Sequence, residues 1–198
     1  DAFAELAVSH GLNVLAPLFP KGVAEPGYDD GYKFLVEDGI DYIDLLDAMV
    51  SQFSAMTDAG PARFFLFGFS GGAQFAQRYA VFKAQQLRGL ILAAPGAVTL
   101  LDSCLEWWPG LAHAERAIGR QPDLEALRRI PVAVTVGCRD LSAGLVRRAA
   151  EAGPEHAREA AGIAEAAVEC DGQHAVVAGA QAGGGPIEAE REQVLVRA

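Results

Sequence analysis

Ser70 sits in Gly68-Phe69-Ser70-Gly71-Gly72, Asp140 in VTVGCRDLS and His174 in VECDGQHAV. A hydroxyl, a carboxylate and an imidazole in that chain order are the three groups of nucleophilic acyl chemistry. The hydroxyl attacks a carbonyl, the imidazole takes and later returns its proton, and the carboxylate orients the ring. The G-x-S-x-G pattern has its own steric logic. A strand that turns at once into a helix strains the backbone at the bend, which is tolerable only where flanking side chains are absent. The bend lifts the serine hydroxyl off the sheet, and the helix N-terminus behind it favours developing negative charge. The plainer reading is a turn serine whose side chain caps the helix.

The base and the acid have rivals. His10 closes an early helical segment, His113 falls in an insertion and His156 lies in a charged helical stretch, which leaves His174 as the best-placed imidazole. Among the acids, Asp102 follows the strand that ends at Pro95, and Asp171 suits a turn just before His174. Asp140 is preferred because Gly137 ends its strand and Arg139 and Ser142 read as loop.

These groups need a framework, and the apolar patterning supplies one. AFAELAVSHGL has helical spacing and stops at Gly11, and NVLAPLFP gives a short strand over about 13–16. Residues 21–33 read as a loop and 36–57 as one helix, with Val36, Ile40, Ile43, Leu46, Val50 and Phe53 near one face. ARFFLFGF, LRGLILAAP and PVAVTVG read as strands, the first buried on both sides, with a helix over 72–86 after the first. A helix over 143–167, a weaker strand EAAVECDG, and a loop with a terminal helix complete the chain. This alternation predicts an α/β fold, a mostly parallel sheet with helices on both faces and ligands beyond the carboxyl ends of the strands. Residues 96–129 interrupt the rhythm as an insertion within a single domain spanning 1–198.

The net charge of −10 disfavours nucleic acid and anionic lipid surfaces as partners. With 51% hydrophobic and 21% charged residues and no long apolar run, the composition is that of a soluble, cytoplasmic protein. Export stays open because the chain opens at Asp1. Cys104, Cys138 and Cys170 carry no C-x-x-C or zinc spacing and read as small buried thiols. A disulfide between Cys138 and Cys170 is the alternative if the protein is exported.

GFSGG, VGCRD, DGQH and the entry segment GLNVLAPLFP together resemble the α/β-hydrolase superfamily. SGGAQFAQRYA with ILAAPGAVTLLD is similar to its polyhydroxyalkanoate depolymerase and feruloyl esterase-like branch. The resemblance implies a serine esterase acting on a small or polymeric ester with no metal or organic cofactor. It also implies that the Gly71 N–H is one oxyanion donor. The family's second donor comes from a loop after its third strand, usually behind a His-Gly pair, and no such segment precedes Ala2. The chain thus reads as N-terminally shortened, so strand 13–16 should either pair directly with the strand at 63–68 or leave a gap. Phe69, expected under the elbow, and Trp107 and Trp108 of the insertion are the expected substrate contacts. The insertion is a possible lid, although both tryptophans suit simple packing equally well. An acyltransferase or thioesterase would use the same triad, and a non-catalytic binding or scaffold protein would keep the framework alone.

Overall fold

The computed structural model describes residues 4–20, 22–23, 31–57, 63–137, 174–179 and 193–197. Helix α1 (Ala4–His10) gives way at Gly11, whose φ of 62° favours a residue without a side chain, to strand β1 (Leu12–Leu15). A 3₁₀ turn (Gly31–Phe34) then precedes a small hairpin, β2 (Val36–Glu37) and β3 (Ile40–Asp41). Helix α2 (Tyr42–Met56), strand β4 (Phe64–Phe69), helix α3 (Gly71–Lys83) and strand β5 (Leu87–Ala93) follow. Short helices α4 (Ala114–Ile118) and α5 (Leu124–Leu127) lead to strands β6 (Val132–Gly137), β7 (His174–Gly179) and β8 (Gln193–Arg197).

Reading 36–57 as one helix fails at its start. Asp38 and Gly39 take positive φ values of 45° and 82°, which suit the tight two-residue turn of a hairpin, and Val36 pairs with Asp41. Asp41 then caps α2, its carboxylate accepting the amides of Ile43 at 2.9 Å and Asp44 at 3.1 Å.

The main sheet runs in the order β1-β8-β4-β5-β6-β7. Every neighbouring pair from β1 to β6 is parallel, whereas β7 is antiparallel to β6, so the α/β arrangement is built on a mixed sheet. Strand β1 neither pairs with β4 nor leaves a gap. Strand β8 lies between them, with Leu195 opposite both Val14 and Phe65. QVLVR is therefore a strand rather than part of a terminal helix. Two facing rows of unpaired backbone groups, one on β1 and one on β4, are both satisfied by this one segment. The expected helix at 143–167 and strand EAAVECDG at 165–172 lie outside the described residues.

Burial alternates along β4. Phe64, Leu66 and Gly68 are buried, while Phe65 and Phe67 are half-buried on the opposite face. The strand is thus closed fully on one side only, where α3 supplies Phe75, Ala76 and Tyr79 to the same core as Phe64 and Leu66. Leu35, Tyr42, Ile43 and Leu46 extend that core, each buried side chain contributing roughly 1.5–3 kcal/mol. The insertion also packs along α3. Leu111, Ala114 and Ile118 join the core, and the Asp123 amide donates to the Val81 carbonyl at 2.8 Å.

Tyr42 is fully buried and donates to Glu37 Oε2 at 2.9 Å. Burial first, then the Glu37 hydrogen bond and charge, push its hydroxyl up to about 12. The folded state holds this proton more tightly than the unfolded one. The associated stability is complete below pH 10 and is lost as pH rises toward 12. Urea melts across that interval are expected to show a falling midpoint, with a shallower fall in Tyr42→Phe. An equal fall in both would contradict this. Among the described residues, no helix is long and apolar enough to cross a membrane.

Candidate functional site

Strand β4 ends at Phe69 and α3 begins at Gly71, so Ser70 makes the whole turn between them. Its φ is 52° and its ψ −113°, a conformation costing a non-glycine residue about 1–3 kcal/mol. The backbone around it is pinned on both sides. The Ser70 amide donates to the Ala93 carbonyl at the end of β5 at 2.9 Å, and its carbonyl accepts the amides of Ala73 and Gln74. The side chain makes no capping bond to the helix, and the residue is exposed. The helix-capping explanation of this serine is therefore wrong.

Gly68 shows why the elbow closes so tightly. A Cβ there would run into the Gly72 carbonyl group and sit 2.6 Å from the Ala73 Cα, all backbone that cannot yield. Gly68→Ala is expected to destabilise the protein by about 2 kcal/mol or more, read as a drop in melting temperature of roughly 5 °C. An unchanged melting curve would contradict this packing.

Gly71 is open for a different reason. A methyl group on it would stand 2.5 Å from the Tyr32 hydroxyl, 2.7 Å from Lys33 Cε and 3.4 Å from Lys33 Nζ. The 3₁₀ turn therefore brings a phenol and an ammonium against the first residue of α3. That turn is held from below by Arg78, which is fully buried. Arg78 donates to the Lys33 carbonyl at 2.6 Å and to Thr99 Oγ1 at 3.0 Å. Its guanidinium faces the rings of Phe34 and Trp108, 5.1 and 4.9 Å from their centroids, and the two rings also meet each other at 5.5 Å.

No family model, curated protein or solved structure matches this chain. What the site can do rests on its own geometry.

Each expected site residue has a definite place or lies outside the described residues. Ser70 and Gly71 form the elbow as expected from their spacing. Phe69 is not under the elbow but 61% exposed beside it, because the alternation of β4 turns it outward. His174 opens β7, level with Gly137 at the end of β6, and the strand expected before it lies outside the described residues. Because β7 runs backwards, that start lies at the rim where β4, β5 and β6 finish. The backbones of Ser70 and His174 are nonetheless three strand spacings apart, about 14 Å across the sheet. That exceeds what the two side chains span with one hydrogen bond of about 2.8 Å. Asp140 lies outside the described residues, as do Asp171, His156, Cys138 and Cys170.

The tryptophans pack away from the serine. Trp107 meets Phe82 edge to face at 5.6 Å, near the far end of α3 and about 16 Å along the helix from the elbow. Trp108 stacks on Phe34 and Arg78. Gln77 and Thr99 exchange two hydrogen bonds that fasten the insertion to the helix. This segment buttresses α3. Asp102 ties down the insertion itself, its carboxylate accepting the Cys104 amide at 2.7 Å. Cys104 is exposed rather than buried. His113 contacts Glu106 at 2.9 Å and His10 contacts Ser9 at 2.8 Å, so both have local roles.

Tyr32, Lys33 and Arg78 escaped the reading of the sequence. Arg78 carries a usable signal. It falls three residues after Phe75 and four before Phe82, on the buried face of α3. A lone cation among aromatics on that face marks something it must hold.

Proposed function

We propose that this protein is a serine hydrolase of carboxylic esters on an α/β-hydrolase framework. The observation that carries the reading is Ser70. A strained, left-handed serine between a strand and a helix, its backbone anchored and its hydroxyl uncommitted to the helix, fits a nucleophile. Ser70 attacks the ester carbonyl and forms an acyl-enzyme. His174 accepts the serine proton and returns it to the departing alkoxide, Asp140 orients the imidazole, and water then releases the acid. In this mechanism the start of β7 is drawn along the strand ends toward the elbow. Exposed Phe69 offers an apolar wall to the acyl group.

The separation of Ser70 and His174 across the sheet favours a second reading, a binding protein that keeps the elbow without turning over substrate. A fluorophosphonate probe separates the two. The hydrolase is labelled at Ser70 and the labelling vanishes in Ser70→Ala. A well-folded protein that stays unlabelled is the binding protein.

A further inference from the structure

We propose that the Tyr32 hydroxyl and the Lys33 ammonium, set beside the Gly71 amide, complete an anion pocket at Ser70 that receives the oxyanion of the acyl-transfer intermediate. The inference rests on Ser70 being the nucleophile. When the serine oxygen bonds to the carbonyl carbon, the carbonyl π pair moves onto oxygen, and the serine proton passes to the general base. The negative oxygen then needs donors already in place.

The 3₁₀ turn and α3 provide them. Gly71 is in the first turn of the helix, where no helical carbonyl serves the amide. From the contacts of its absent Cβ and standard bond lengths, the Tyr32 oxygen lies within about 5 Å of the Gly71 nitrogen and Lys33 Nζ within about 6 Å. One oxygen accepting from two donors at about 2.9 Å bridges groups up to about 6 Å apart. An ammonium carries donors only and a phenol can turn its proton toward an anion, so both suit a negative oxygen. The positive end of the α3 dipole adds to the same field. The absence of a side chain on Gly71 lets both groups pack against its Cα, and Arg78 anchors the backbone of the turn that carries them.

The test uses second-order labelling rates with a fluorophosphonate, whose phosphoryl oxygen occupies the oxyanion position. Tyr32→Phe keeps the ring among Phe19, Tyr42 and Phe75 and removes only the hydroxyl. It and Lys33→Met are each expected to slow labelling about a hundredfold at unchanged melting temperature. Lys33→Arg should recover part of the loss. Gly71→Ala should slow labelling too, by pushing the tyrosine and lysine aside. Rates within threefold of wild type in both Tyr32→Phe and Lys33→Met overturn the pocket and leave the hydrolase reading intact. If the wild-type protein is not labelled, that reading fails, and phenylphosphonate binding to Ser70→Ala decides the pocket by calorimetry. Binding weakened at least tenfold by adding Lys33→Met upholds an anion site, whereas no binding, or binding indifferent to Lys33, overturns it.

Discussion

Ser70→Ala is expected to abolish fluorophosphonate labelling and to lower hydrolysis of a p-nitrophenyl ester by a factor of about 10⁴ or more. The effect should be so large because no other group can take over. In the proposed mechanism the hydroxyl is the atom that bonds to substrate, and Ser70 alone makes the turn between β4 and α3. The melting temperature should hold or rise, since alanine leaves the backbone bonds to Ala93, Ala73 and Gln74 in place. Groups that act as a unit are not additive. His174→Ala in the Ser70→Ala background should therefore change the residual rate little. A rate that survives Ser70→Ala within tenfold would sink the nucleophile assignment.

The second large effect is structural. Arg78→Met is expected to cost about 3–5 kcal/mol of folding stability, the range for breaking a buried charged contact. The side chain is buried and holds two parts of the molecule to α3 at once: the 3₁₀ turn through the Lys33 carbonyl and the Phe34 ring, and the insertion through Thr99 and the Trp108 ring. Methionine refills part of the volume but leaves both acceptors without their donor. Urea melts should show the loss directly. Where the variant still folds, its fluorophosphonate rate should fall with that of Lys33→Met, because the turn that carries Lys33 loses its anchor. A loss below about 1 kcal/mol would mean that Arg78 is not the keystone of this face.

What the sequence reveals is local. FFLFGF followed by Ser70-Gly71-Gly72 announces strand, turn and helix within one short window, and the structure places all three there. LRGLILA and VAVTVG are equally plain as apolar, β-rich runs. The hairpin at Val36–Asp41 was hidden because its apolar residues also fit helical spacing, although Asp38-Gly39 is a turn signal. The direction of β7 and the position of β8 depend on long-range pairing, which no local pattern encodes. Lys33 had no sequence marker at all. Its importance comes from a side chain missing elsewhere, at Gly71, and from a cation far along α3 that grips its carbonyl.

The place of β8 sets a timetable for biosynthesis. Among the described residues, β1 joins the rest of the sheet through residues 193–197, which are made long after it. The earlier strand must wait, unzipped, until that later segment has been made. Such a late closure over a long sequence interval is slow and leaves apolar edges open to other nascent chains. Cells making this protein should therefore lean on chaperones that hold such earlier segments until the later ribbon threads into its slot.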